Sequence, residues 1–190
     1  YCFGNNQEFR IKGFLSDNHT DIEHLGYPPI IDTIDDYQIC ENDIFTHAIG
    51  NVYDRKKCIT KVLSKGGFFI NLIHPSVVMS PTAKIGTGVI IKAFCVLASN
   101  VVVGNYTFLQ SSVILGHDVE ISAYCQINSF SFIAGNAKVD DLATLNAGSK
   151  IIQNTRIGKG ATIGIGSIII NDVPDGTKMF GNPARIIDET

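Results

Sequence analysis

Large aliphatic residues recur at every sixth position through the second half of the chain. From Ile85 onward, fifteen consecutive positions at this spacing are Ile, Leu or Val. They are Ile85, Ile91, Leu97, Val103, Leu109, Leu115, Ile121, Ile127, Ile133, Val139, Leu145, Ile151, Ile157, Ile163 and Ile169. Neither a helix of period 3.6 nor a strand of period two produces this spacing. We therefore predict a repeating structure that turns a corner every six residues.

A second row of small or β-branched residues follows each aliphatic residue by four positions. It contains Val89, Cys95, Val101, Thr107, Val113, Val119, Cys125, Ser131, Ala137, Ala143, Ser149, Thr155, Ala161, Ser167 and Val173. Each flat side would then place one large and one small residue inside. Three such sides make a coil of about 18 residues, whose successive turns stack as parallel strands.

The first 72 residues follow a different pattern, in which short apolar runs alternate with one helical segment. We predict strands at 9–15, 43–49 and 68–72, and a helix between Asn51 and Lys65 that ends at Gly66 and Gly67. The alternation of strand, helix and strand predicts a small parallel sheet. The chain is thus expected to have an α/β domain at 1–72 and a solenoid domain at 73–190.

Charge and cysteine content exclude several classes of function. The 190 residues carry 18 acidic and 15 basic side chains, and this net charge of −3 provides no basic excess for binding nucleic acid. No apolar run approaches the roughly 20 residues of a membrane-spanning helix. The five cysteines include no C-x-x-C pair, which favours a reducing cytoplasm over a disulfide framework or structural zinc. We expect Cys95 and Cys125, in the small-residue row, to be inert.

His117 and Asp118 are the one place in the repeats where an imidazole and a carboxylate are adjacent in sequence. His117 follows Leu115 by two positions, so it falls outside both inward-facing rows and should be exposed. An imidazole titrates near pH 6.5 and suits general-base catalysis. A surface His beside an Asp is also commonly a plain solvated pair, so the pair by itself does not define a site.

Short motifs across nearly the whole chain resemble those of the sialic-acid O-acetyltransferase-like and bacillosamine-type UDP-amino-sugar N-acetyltransferases, a family of hexapeptide-repeat acyltransferases. They are G-H-D-V-E-I at 116–121, I-A-G-N-A-K-V at 133–139, G-N-P-A-R at 181–185, G-F-L-S-D at 13–17, A-I-G-N at 48–51 with Arg55, and L-I-H-P at 72–75. The resemblance implies a left-handed parallel β-helix from about Ile73 to Ile170. It also implies a Rossmann-like α/β domain before the β-helix. That domain would be incomplete here, because the family's glycine-rich turn and first helix do not follow Tyr1–Gly4.

The resemblance also implies an activity. Family members are homotrimers that bind acetyl-CoA between neighbouring β-helices and hold the nucleotide sugar in the small N-terminal domain. We therefore expect this chain to acetylate the 4-amino group of a nucleotide-linked sugar for surface glycans, without a metal. By resemblance, His117 is the general base and Asp118 orients or tunes it. Cofactor contacts are implied for Gln126, Gly135, Ala147 and Ile165, and substrate contacts for Ser16, Asp17 and Gly50. The Gly135 N–H would face the thioester, where a side chain would obstruct the cofactor.

Two positions depart from the family pattern within the implied site. Gln126 stands where some relatives carry a second histidine, although an amide can still donate a hydrogen bond to the acetyl carbonyl. Ser16 replaces the first residue of an Asp-Asp pair, so the nucleotide is left open.

The sequence leaves other functions open. One imidazole base can catalyse O-acetylation of a sialic-acid-type sugar as well as N-acetylation. A non-catalytic sugar-binding module is a second alternative. A γ-class carbonic anhydrase needs three histidines for its zinc. The repeats contain only His74 and His117, which argues against that class.

Overall fold

The computed structural model describes residues 10–17 and 23–187, and all that follows applies to these ranges. The N-terminal elements are β1 (Phe14–Leu15), a 3-10 turn (Glu23–Leu25), β2 (Ile30–Asp32), β3 (Ile44–Phe45), α1 (Val52–Ser64) and β4 (Phe68–Phe69). The strands that follow are β5 (Leu72–Ile73), β6 (Val78–Met79), β7 (Lys84–Ile85), β8 (Ile90–Ile91), β9 (Val96–Leu97), β10 (Val102–Val103), β11 (Phe108–Leu109), β12 (Ile114–Leu115), β13 (Glu120–Ile121), β14 (Gln126–Ile127), β15 (Phe132–Ile133), β16 (Lys138–Val139), β17 (Thr144–Leu145), β18 (Lys150–Ile151), β19 (Arg156–Ile157), β20 (Thr162–Ile163), β21 (Ile168–Ile169), β22 (Lys178–Gly181) and β23 (Ala184–Ile186).

Three sheets form the walls of a parallel β-solenoid. Wall 1 contains β5, β8, β11, β14, β17, β20 and β22, with β23 added antiparallel at its end. Wall 2 runs from β6 to β21 in steps of three strands, and wall 3 runs from β7 to β19 in the same way. Strand partners lie one coil apart, as Lys84 and Val102 do. The predicted three-sided coil is confirmed, whereas its left hand still rests on the family resemblance.

Both predicted rows line the interior of the solenoid. From Ile91 to Ile169 every residue of the aliphatic row is at most 2% exposed, and every residue of the small row is at most 4% exposed. Ile85, in the first coil, is only partly buried. Burial of one large apolar side chain contributes roughly 1.5–3 kcal/mol, so the unbroken column is the main source of stability.

The corners of the solenoid are turned by residues in the left-handed backbone conformation. We call the corner from wall 1 to wall 2 the first corner, that from wall 2 to wall 3 the second, and that from wall 3 to wall 1 the third. At the second corner these residues are Asn100, Asp118, Asn136 and Asn154, with φ between 57° and 60°. Asn and Asp tolerate this conformation better than other residues that carry a Cβ.

The N-terminal part contains two separate two-stranded parallel sheets rather than the single sheet predicted. One pairs β1 with β2, and the other pairs β3 with β4. The predicted strands at 9–15, 43–49 and 68–72 shrink to two residues each, and β2 was not predicted. The Rossmann-like domain is therefore not confirmed. Tyr1–Gly4, where the family's first strand was expected, lie outside the described residues.

Helix α1 begins as predicted, with Asn51 as its N-cap. The Asn51 Oδ1 accepts hydrogen bonds from the backbone N–H groups of Tyr53 and Asp54, at 2.9 and 3.1 Å. These bonds satisfy two amides that have no partner within the helix. Helix α1, the longest helix among the described residues, has 13 residues and is too short to span a bilayer.

Arg55 joins α1 to the solenoid and is completely buried. All five of its N–H groups have acceptors, which are the carbonyl oxygens of Ile49, Gly50, Tyr106 and Cys125 and the Oε1 of Gln126. Burial lowers the pKa of the guanidinium to about 10, which leaves it charged at neutral pH. The N-terminal part is thus fixed to wall 1 by a buried cation whose donors are all satisfied.

Candidate functional site

His117 and Asp118 form a hydrogen-bonded pair on the surface of the second corner. The His117 Nδ1 lies 2.8 Å from the Asp118 Oδ2, and the two side chains are 63% and 45% exposed. An ionised carboxylate can only accept, so the Nδ1 carries the proton and the Nε2 is left as a base. The sequence predicted this exposure correctly.

The pKa of the Asp118 carboxyl is lowered from its ordinary value. The largest cause is a hydrogen bond from Asn100, whose Nδ2 donates to the Asp118 Oδ1 at 2.9 Å, and the second is the bond with His117. The carboxylate therefore stays ionised and oriented at neutral pH. Sequence reasoning missed Asn100, although it precedes Asp118 by one coil at the same corner.

Gly135 supplies the space in which the His117 ring lies. A Cβ added at Gly135 would be 2.5 Å from the His117 Nε2 and 2.7 Å from its Cε1, closer than real atoms approach. Gly116 has a similar role, because a Cβ there would be 2.8 Å from the backbone nitrogen of Gly135. The need for glycine at 135 arises first from the imidazole, a reason the sequence did not provide.

Main-chain amides at the predicted cofactor positions are available for hydrogen bonds. The N–H groups of Gly135, Ala147 and Ile165 donate to no acceptor among the described residues, while the amides on either side of each are bonded to neighbouring coils. This alternation is a regular feature of the corners. Gly135 differs from the other two because the His117 imidazole packs directly against it, in the space that a Cβ would take.

Ala147 and Ile165 lie at the first corner, on the opposite edge of wall 2 from His117 and Gly135. Ile165 is 66% exposed, and Ala147 is partly exposed. Within one chain, wall 2 separates these two sets of predicted residues.

Gln126 is buried beneath helix α1 on wall 1. Its side-chain oxygen accepts from Arg55, and its Nε2 donates to the Asn128 Oδ1 at 2.9 Å. The chain therefore gives it a role in holding α1 in place. Its predicted contact with the cofactor remains a prediction.

The predicted substrate residues lie in the N-terminal part, away from the second corner. Ser16 lines a cavity of about 1180 Å³ between the two small sheets, whose walls are mainly apolar and include Phe14, Phe45 and the buried His47. Asp17 is exposed in the bend after β1, and the Gly50 carbonyl is held by Arg55. Ser16 thus lies at the cavity, whereas Gly50 lies close to the solenoid, so the structure does not bring these two predicted substrate residues together.

Metal-ligating groups are scarce in the part of the chain that is described. No set of three or more His, Cys, Asp and Glu side chains in 10–17 and 23–187 is arranged to hold a metal ion. His47 donates from its Nε2 to the Gly88 carbonyl at 3.0 Å, and burial and the nearby Arg55 charge lower its pKa to about 4. It is therefore neutral at physiological pH.

Solved structures of nucleotide-sugar acetyltransferases have the same fold. A mutant of perosamine N-acetyltransferase from Caulobacter crescentus, in complex with CoA and GDP-perosamine, is 27% identical over 87% of this chain and 80% of its own, with a TM-score of 0.82. The acetyltransferase domain of PglB from Neisseria gonorrhoeae, in complex with acetyl coenzyme A, is 26% identical over 95% and 84%, with a TM-score of 0.80. WeeI from Acinetobacter baumannii is 27% identical over 92% and 85%, with a TM-score of 0.84.

The structural neighbours are hexapeptide-repeat nucleotide-amino-sugar acetyltransferases. This confirms the resemblance recognised in the sequence. No family model and no curated protein sequence matches the chain. The perosamine enzyme is named as an N-acetyltransferase, so O-acetylation of a sialic-acid-type sugar, the alternative left open by the sequence, is not favoured.

Proposed function

We propose that this protein is an acetyl-CoA-dependent N-acetyltransferase that acts on the 4-amino group of a nucleotide-linked sugar in surface-glycan synthesis. The observation that carries the proposal is the exposed His117–Asp118 pair, whose hydrogen bond uses the Nδ1 and leaves the Nε2 available against Gly135. Neighbours with CoA and GDP-perosamine bound support the same chemistry. Acetyl-CoA supplies the activated acetyl group.

In the proposed reaction, the His117 Nε2 accepts the proton that the acceptor amine loses as its C–N bond forms. The C–S bond of the thioester then breaks, and the protonated imidazole returns the proton to the CoA sulfur, so charge is balanced. Asp118 stabilises the imidazolium and keeps the Nδ1 proton in place. The proposed role of the Gly135 amide, which has no acceptor among the described residues, is to stabilise the oxyanion of the tetrahedral intermediate.

A homotrimer is the proposed active form, because wall 2 exposes a strip of apolar side chains. Four of its outward-facing residues are exposed by 37–64%, namely Val78, Val96, Ile114 and Phe132. The same positions of wall 3 carry mostly charged side chains, and wall 1 is partly covered by α1. An apolar strip on one wall suits association with another subunit. Packing there would bring the first corner of one solenoid near the second corner of its neighbour.

Residues 1–72 are proposed to hold the nucleotide sugar and residues 73–190 to carry out the transfer. Ser16, Asp17 and Gly50 remain the proposed substrate contacts, and Gln126, Gly135, Ala147 and Ile165 the proposed cofactor contacts. The cytoplasm is the proposed location. The free thiols of Cys40, Cys58, Cys95 and Cys125 support this compartment.

The direct test is to incubate the protein with acetyl-CoA and a panel of GDP-, UDP- and dTDP-linked 4-amino sugars. Release of CoA thiol and an acetylated sugar in the mass spectrum would support the function.

His117→Ala should lower kcat by about 10² to 10⁴-fold with little change in Tm. Glu120→Ala, which removes an exposed charge three positions away on wall 3, is the matched control and should retain activity. A His117→Ala variant with more than a third of wild-type kcat/KM would overturn the mechanism.

A further inference from the structure

The Asp118 carboxylate is held from two sides. Its Oδ2 accepts from the His117 Nδ1 at 2.8 Å, and its Oδ1 accepts from the Asn100 Nδ2 at 2.9 Å. The three side chains form a continuous chain of hydrogen bonds along the second corner. A carboxylate with both oxygens bonded cannot rotate without breaking one of the bonds.

Asn100 is itself fixed by its backbone. Its N–H donates to the Thr82 Oγ1 at 2.8 Å, and its φ is 60°. Asn154 occupies the same column of the second corner three coils later, with a φ of 59°. The left-handed conformation alone therefore explains an asparagine at either position. Contact with the Asp118 carboxylate is what sets Asn100 apart.

We propose that Asn100 is a positioning residue for the catalytic base, acting on His117 through Asp118. The inference rests on the proposed function. By fixing the carboxylate, Asn100 keeps the proton on the His117 Nδ1, so that the Nε2 beside Gly135 is the basic atom. Without this restraint the carboxylate can turn away and the imidazole can exchange tautomers. A fraction of the protein would then present a protonated Nε2 to the acceptor.

The kinetic test compares Asn100→Gly with Asn154→Gly. Glycine accepts a positive φ without strain, so both variants keep the corner and only the first removes the donor. Asn100→Gly should lower kcat about fivefold, the factor that corresponds to the net contribution of a typical intramolecular hydrogen bond, with the KM for acetyl-CoA unchanged. Asn154→Gly should leave both constants unchanged. Equal kcat values for the two variants would overturn the proposal.

Coupling to Asp118 separates positioning from a structural role. In an Asp118→Asn background, adding Asn100→Gly should cause no further loss of kcat, because the carboxylate through which Asn100 acts has gone. A full additional fivefold loss would refute the proposed route. Asn100→Asp provides a second variant of the same shape, which cannot donate when ionised and should lose activity as Asn100→Gly does.

A spectroscopic readout does not depend on activity. The ¹⁵N chemical shifts of the His117 imidazole, recorded at pH 8.5 without substrate, should show an Nδ1–H tautomer in the wild type and in Asn154→Gly. The shifts should move toward a mixture of tautomers in Asn100→Gly and in Asn100→Asp. An unchanged Nδ1–H signature would overturn the positioning role. If no sugar in the panel is acetylated, the proposed function fails, while the tautomer measurement still decides what Asn100 does.

Discussion

Replacing Gly135 with alanine tests whether the space beside His117 is required for turnover. The added Cβ would lie 2.5 Å from the His117 Nε2, 2.7 Å from its Cε1 and 3.0 Å from its Cδ2. Ordinary contacts between such atoms are about 3.5–4.0 Å, so the ring must move by roughly 1 Å. A displacement of that size at a reacting group can reduce the rate by about 10²-fold. We therefore expect kcat to fall by about two orders of magnitude.

The fold should tolerate Gly135→Ala. Gly135 is not in the left-handed region, and the ring that must move is 63% exposed and can turn into solvent. The inward-facing Ile133 and Ala137 are untouched, so Tm should change by no more than about 2 °C. The assay is acetyl-transfer kinetics at saturating acetyl-CoA, together with thermal unfolding of each variant.

A double variant is the control for Gly135→Ala. In a His117→Ala background the alanine at 135 meets no imidazole, so it should cause no further loss of kcat. If Gly135→Ala alone retains more than half of the wild-type kcat, the geometry of the base at this corner is not what limits the reaction. If its effect is as large without His117, the substitution acts on the cofactor or the backbone instead.

Three further predictions test the surroundings of the site. Phe132→Glu places a charge on the apolar strip of wall 2 and should lower the mass measured by light scattering from that of a trimer to that of a monomer. Val102→Glu, on wall 3, is the control and should leave the mass unchanged. A wild-type monomer at micromolar concentration would refute the trimer. Arg55→Lys leaves buried carbonyls without donors, so it should destabilise folding by about 3–5 kcal/mol in urea titration, and a loss below 1 kcal/mol would contradict the buried network. Burial raises the pKa of the Cys125 thiol to about 12, and Cys95 is equally buried. Iodoacetamide should therefore alkylate neither of these cysteines in the native protein, whereas it should alkylate the exposed Cys40.

The solenoid could be predicted from sequence because its pattern has one physical cause. A coil that stacks on itself requires an inward-facing residue at every equivalent position, so the aliphatic and small rows both mark the interior directly. Burial of these rows from Ile91 to Ile169 confirms that prediction. The exposure of His117 followed from the same register, because it stands outside both rows.

The N-terminal part could not be predicted to the same detail, since its strands are only two or three residues long and carry little pattern. Arg55 shows why contacts of the N-terminal part could not be predicted from the sequence. It follows Val52 by three positions and precedes Ile59 by four, so it shares their buried face although its side chain is charged. The signal was present in the spacing, but a fully buried arginine becomes plausible only once five acceptors are seen around it.

The outward-facing residues determine what each of the three walls can bind. The six-residue period does not distinguish the walls, because it is the same in all three. Wall 1 receives α1 through Arg55, wall 3 carries charges such as Lys138 and Glu120, and wall 2 is left with exposed Ile114 and Phe132. Wall 2 is also the wall flanked by both sets of predicted site residues. Because a flat wall offers no enclosed pocket by itself, the proposed trimer would complete the site at the apolar strip between the two sets.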